Sequence, residues 1–144
     1  MPVILSLILH IFNLAHASTD ALKMVPGGKI LSQKPDEIQV TTKAGTVVEI
    51  GLDADGEMEE ASGSAADKGD VFEPGQKMIS LKGAVDVLKK AGKTLQGEWT
   101  FEENEEGDWV YDLEGVEKKA AVDYIVNATN GKLLKTEIDE ATEP

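Results

Sequence analysis

Apolar residues recur along this chain at two spacings, three to four apart in two short stretches and two apart in several others. The two kinds follow one another in a fixed order. Ala17, Ala21, Met24 and Val25 have helical spacing, which predicts a helix over residues 19–25 that Pro26, Gly27 and Gly28 bring to an end. Strands follow: Ile38 and Val40 alternate with polar neighbours, residues 43–45 turn, and Val48, Ile50 and Leu52 alternate again before the Asp-Ala-Asp-Gly turn at residues 53–56. The same order then repeats. Ser80 is a helix N-cap, Leu81, Ala84, Val85, Leu88 and Ala91 share one helical face, and Gly92 stops the helix. Trp99 and Phe101 alternate, residues 102–108 form an acidic hairpin tip, and Trp109, Tyr111 and Leu113 alternate on the return. Gly115 is expected to turn the chain into a strand carrying Ala120, Val122, Tyr124 and Val126 on one side. Residues 127–131 turn once more, and residues 133–138 close the series.

This pattern predicts an α+β fold of two similar units, each a helix packed on an antiparallel β-sheet. The expected boundaries are a first unit at 18–61, a connection at 62–77 with Val71 and Phe72 as its apolar anchors, a second unit at 78–139, and a tail at 140–144. Residues 3–14 form an apolar run of signal-peptide length, and Ala15-His16-Ala17 supplies the small residues that a signal peptidase reads, so residues 1–17 read as a signal peptide. A native helix is the competing reading. No Lys or Arg precedes the run, and the helical spacing of Leu14, Ala17 and Ala21 crosses the expected cut.

Composition narrows the function. Acidic residues number 27 against 14 basic, a formal net charge of -13, and such a field repels nucleic acid and anionic membrane surfaces. No stable membrane insertion is expected after processing. Without cysteine there is neither a disulfide framework nor a thiolate metal site. The two histidines, His10 and His16, both fall in the expected signal, so a Ser-His-Asp or Cys-His arrangement has no imidazole to use. Catalytic residues, cofactors and metals are therefore assigned as none. The acidic pairs lie in turn-like stretches where water keeps them ionised, which argues against paired acid–base carboxyls. The turn at Asp53 and Asp55 begins like a calcium loop but lacks the third acidic position and the closing Glu.

One stretch carries a family resemblance. Ile79-Ser80, Ala84 and Leu88 on a helix, then Trp109 to Leu113, Val122-Asp123-Tyr124 and Asn127-Ala-Thr-Asn-Gly131-Lys-Leu-Leu134, resemble a PepSY domain. The first unit, through Val48 to Gly56, is similar to a shorter copy. The resemblance implies a helix on an antiparallel sheet, no catalytic residues, a periplasmic or extracellular setting, and a protein that restrains or inhibits a peptidase. The candidate partner surface is the hairpin: Glu102, Glu103, Glu105 and Glu106 as an attracting tip, with Trp99 and Trp109 at its aromatic base, although aromatics so placed serve equally as core. A structural or small-ligand-sensing protein that uses the sheet face or the cleft between units is the alternative. A bare strand edge favours protein binding, and an enclosed aromatic pocket favours a ligand. Oligomeric state is not fixed by these features.

Overall fold

The computed structural model describes residues 17–67, 70–75 and 77–138, apart from the side chains of Lys135 and Ile138. Residues 1–16 of the expected signal and the tail at 140–144 lie outside the described residues. Helix α1 covers residues 17–24, followed by β1 (Lys29–Lys34), β2 (Glu37–Thr41), β3 (Val47–Leu52) and β4 (Met58–Ser64). A single 3-10 turn, Ala65–Asp67, leads into the connection. Helix α2 (Leu81–Lys90) then precedes β5 (Glu98–Glu103), β6 (Trp109–Glu117), β7 (Ala120–Asn127) and β8 (Leu133–Ile138). One helix followed by four strands thus occurs twice; the spacing predicts all four strands of the second half but only β2 and β3 of the first.

All eight strands join one antiparallel sheet in chain order, β1 to β8. The join between the halves is the β4–β5 pair, where Ala61 faces Phe101 and Gly63 faces Trp99. Small residues on β4 make room for the rings of β5. Both helices cover the same face. Val25, just past α1, and Val40 both flank Gly28, and the chain leading into α2 receives the Tyr111 hydroxyl at the Ile79 carbonyl, 2.7 Å away. Ala17 and Ala21 from α1, Val25 just after it, and Leu81, Ala84, Val85 and Leu88 from α2 share one apolar cluster with Ile38, Val40, Ile50, Trp99, Phe101, Tyr111 and Tyr124. Burial of this continuous cluster drives the fold, since apolar area removed from water contributes roughly 25 cal/mol per Å².

Ser80 caps α2, its Oγ accepting from the Gly83 amide at 3.1 Å, and Gly92 stops the helix at φ +75°. The connection packs closely. Asp67 is 2% exposed and accepts from Trp99 Nε1 at 2.6 Å and from the Thr46 hydroxyl, while Val71 and Phe72 are buried, Phe72 against Trp99, Phe101 and Tyr111. Residues 62–64 belong to β4.

One turn sits elsewhere than expected. Gly115 lies inside β6, and the chain reverses at Lys118 and Lys119, which adopt φ +50° and +69°. Gly115 is required by close approach: a Cβ there would lie 2.5 Å from the Tyr124 ring and 2.8 Å from the Thr94 carbonyl.

Candidate functional site

The hairpin turns of an antiparallel meander alternate between its two ends. The β1–β2, β3–β4, β5–β6 and β7–β8 turns therefore share one end, and the β4–β5 register keeps this parity across the two halves. The first three of these turns carry Asp36, then Asp53, Asp55 and Glu57, then Glu105, Glu106 and Asp108, the last turn flanked by Glu103 at the end of β5. Lys43, Lys118 and Lys119 occupy the turns at the opposite end, where Lys93 also pairs with Glu117. That contact raises the Lys93 pKa and lowers that of Glu117. Lys43 pairs with Asp70 at 3.5 Å, so this end is mixed in charge while the first is acidic.

Local chemistry fixes the acidic turns. Asp53 Oδ1 accepts from the amides of Asp55 and Glu57, at 2.8 and 3.0 Å, and Asn104 Oδ1 accepts from Glu106 and Asp108 at 3.0 and 2.9 Å. These are side-chain-capped turns with glycine in the left-handed region, Gly56 at φ +80° and Gly107 at φ +86°. Asn127 repeats the device in the β7–β8 turn, accepting from Thr129 at 2.8 Å. The aspartate loop is thus the first half's counterpart of the asparagine loop. Among the described residues no three His, Cys, Asp or Glu side chains are grouped to hold a metal.

The expected anchors separate. Trp99 is fully buried, with its indole nitrogen bound to Asp67, so it belongs to the core and is withdrawn from any partner surface. Register explains this: Trp99 sits on the helix-covered face at the junction between the halves, opposite Gly63. Trp109 is half-buried at the hairpin's base, stacked on Phe101 at 5.0 Å and 15°. Glu103, Glu105 and Glu106 are exposed at the tip, whereas Glu102 is partly buried and points to the helix-free face, where it neighbours Glu60.

A second carboxylate group was not evident in the sequence. On the helix-free face Asp112 pairs across from Thr100 and Ile125, with Asp123 diagonal to it. Burial, then the charge and hydrogen bond of Asp123, then the charges of Glu102 and Glu114, push the Asp112 carboxyl up to about 7. Its Oδ1 is buried without a hydrogen-bond partner among the described residues. The alternation of Asp112 with Tyr111 and Leu113, and of Asp123 with Val122 and Tyr124, was the available signal; the cross-strand register was not.

A cavity of about 50 Å³ lies between the start of α2 and the connection, lined by Pro26, Asp70, Phe72, Ser80 and Lys82 among others. No helix among the described residues is long and apolar enough to cross a membrane.

Comparison with known proteins places the second half. No curated protein matches the chain. Solved structures similar to it include a putative lipoprotein from Clostridium difficile 630, 13% identical over 87% of this chain and 90% of that one, with a TM-score of 0.43. A DUF2874 family protein from Bacteroides uniformis ATCC 8492 is 9% identical, covers 91% of each chain and has a TM-score of 0.45. Another from Bacteroides ovatus ATCC 8483 is 12% identical over 88% of this chain and 85% of that one, with a TM-score of 0.43. Residues 78–137 match the profile of the PepSY family, described as "Peptidase propeptide and YPEB domain". The segment that contains α2, β5–β7 and most of β8 is therefore the part of the chain that is similar to the PepSY family.

Proposed function

We propose that this is a non-catalytic, exported binding protein that engages a protein partner, with a peptidase as the first candidate, through the acidic hairpin end. The observation that carries the reading is the convergence of three acidic turns on one end, beside the partly exposed Trp109, with the third of these turns inside the segment that matches a family described by peptidase propeptides. Long-range attraction by the carboxylates speeds encounter, and the aromatic base supplies contact area once a partner has landed.

Two further features favour a protein over a small ligand. Among the described residues the open sheet leaves β1 and β8 each with an unpaired edge, where a strand of another chain could add. The 50 Å³ cavity is small beside the roughly 300–1,000 Å³ of ligand pockets, and the rings of the second half fill one another's space in the core.

The test is capture by the immobilised full chain from its own envelope extract, with the captured protein then purified. The parent should bind it and restrain its peptidase activity. Replacing Glu103, Glu105 and Glu106 with Gln should slow association at low salt. Equal association rates for parent and variant would remove the hairpin end from the mechanism, and an extract with no specific partner would remove protein binding altogether.

A further inference from the structure

Three of the four turns at the acidic end are built alike. A capping residue, Asp53, Asn104 or Asn127, accepts from the amides that follow it, and each turn closes on a left-handed glycine, Gly56, Gly107 or Gly131. They differ at the residue before that glycine. It is Asp55 in the first half and Glu106 at the hairpin tip, but Asn130 in the β7–β8 turn, which carries no carboxylate from Ala128 to Lys132.

Asn130-Gly131 is the one Asn-Gly step in the chain. Such a step is prone to lose its side-chain amide, because glycine has no Cβ to obstruct its own nitrogen and its backbone reaches the angles that ring closure needs. The Gly131 nitrogen gives up its proton and bonds to Asn130 Cγ, the Cγ–Nδ2 bond breaks, and ammonia leaves. Water then opens the cyclic imide. Attack at one carbonyl gives aspartate, and attack at the other gives isoaspartate, whose main chain is longer by one carbon.

The folded turn withholds both reacting groups. The Gly131 amide donates to the Asn127 carbonyl at 2.8 Å, and Asn130 Oδ1 accepts from the Lys132 amide at 2.9 Å. Asn127 Oδ1 holds the loop closed by accepting from the amides of Thr129 and Asn130, at 2.8 and 3.2 Å. Asn130 is itself exposed, so water reaches it as soon as the turn opens. The aspartate product fits this turn, since Asp55 already stands before Gly56 in the first half, where the Gly56 amide closes on the Asp53 carbonyl at 3.0 Å. The isoaspartate product does not. Hairpin register follows loop length, so an added main-chain carbon disturbs the pairing of β8 from Leu133, opposite Val126, onward.

We infer that Asn130 is a modification site gated by the β7–β8 turn: it deamidates when the turn opens. The aspartate form supplies the fourth turn of the acidic end with the carboxylate that the other three have, and the isoaspartate form loosens edge strand β8. This goes beyond the binding reading and does not rest on it.

The test holds the full chain at mildly alkaline pH, folded or unfolded in guanidinium chloride, and follows each asparagine by peptide mapping and mass spectrometry. In denaturant Asn130 should convert ahead of Asn13, Asn104 and Asn127. In the folded chain it should convert about tenfold more slowly, the factor expected from two local hydrogen bonds of ordinary net strength. Asn127→Ala should bring the folded rate most of the way to the rate in denaturant, which itself should not change. Asn130→Asp should keep the parent's circular dichroism, whereas the isolated isoaspartate fraction should lose amide protection along β8. Equal rates in the folded and unfolded parent would overturn the inference. So would faster conversion of another asparagine in denaturant, or a folded rate that Asn127→Ala leaves unchanged.

Discussion

The two halves share an order of elements but not a core. In the first half the inward positions are aliphatic: Val25, Ile38, Val40, Val48, Ile50, Leu52 and Ala61. In the second they are largely aromatic, with Trp99, Phe101, Tyr111 and Tyr124 all but fully buried, and only this half matches the PepSY profile. The same topology is thus built from side chains of very different volume. What reconciles them is the junction, where Ala61 and Gly63 of the first half are opposed by Phe101 and Trp99 of the second. The halves are unequal because they pack against each other, and neither has a complete core alone.

Trp99→Ala tests this dependence and carries the largest expected effect. Removing a fully buried ring costs about 3–5 kcal/mol, to which the loss of a donor to buried Asp67 adds. Ile50→Ala, in the aliphatic half, should cost about 2–5 kcal/mol. Urea denaturation followed by circular dichroism should show one transition for both variants, shifted further in the first. Two separated transitions, with the first half surviving Trp99→Ala, would break the claim that the halves fold together.

Gly63→Ala sharpens the same point at the junction. The added Cβ would lie 2.5 Å from Asp67 Oδ2 and 2.6 Å from Trp99 Nε1, so the buried hydrogen bond must shift. Overpacking of this kind costs about 1–3 kcal/mol. The indole proton resonance should move, and stability should fall although no atom has been removed.

This junction also shows what the sequence could and could not convey. Helix α2, its cap and its stop were legible because Leu81, Ala84, Val85 and Leu88 keep a strict spacing between Ser80 and Gly92. β5, β6 and β7 were legible from alternating aromatic and β-branched residues. β4 was not named as a strand: its inward residues are Ala61 and Gly63, small because Phe101, Trp99 and Asp67 occupy the space above them. β1 was missed because a bulge between Ile30 and Ser32 breaks its alternation and leaves Leu31 56% exposed. Without β4 the parity of the turns could not be counted. The aspartate turn and the glutamate hairpin therefore read as separate features and not as one acidic end. Trp99 and Trp109 lie on the same face, and only the junction and the connection bury one and leave the other half-open.

The halves differ again in their response to pH. The first has no counterpart to Asp112, whose carboxyl stands at about 7 against an ordinary value of 3.8. The folded state therefore binds a proton more tightly than the unfolded chain. Its contribution is fully present below pH 3.8 and is lost as pH rises towards and through 7. Thermal stability should fall across this window in the parent, and Asp112→Asn, which cannot ionise, should flatten that slope. An unchanged slope in Asp112→Asn would place the titration elsewhere.

The smallest expected effect on stability belongs to the hairpin tip, where the halves carry like acidic turns, Asp53, Asp55 and Glu57 in one and Glu105, Glu106 and Asp108 in the other, next to Glu103 at the end of β5. Their backbone is held by Asp53 and Asn104, so the remaining carboxylates at the second turn do no structural work. Glu103, Glu105 and Glu106 replaced by Gln should change stability by no more than about 0.5 kcal/mol, and any change should be favourable because exposed like charges repel. Asn104→Ala, by contrast, frees two turn amides and should loosen the hairpin by about 1 kcal/mol. Association with a captured partner provides the complementary measurement. The triple variant should bind more slowly at low salt, and the difference should shrink as salt screens the field over about 10 Å. Dissociation should stay nearly constant, since contact is made by Trp109 at the base. If the triple variant instead dissociates faster with its association unchanged, the tip is a contact surface and not a steering one, and the division of roles between tip and base fails.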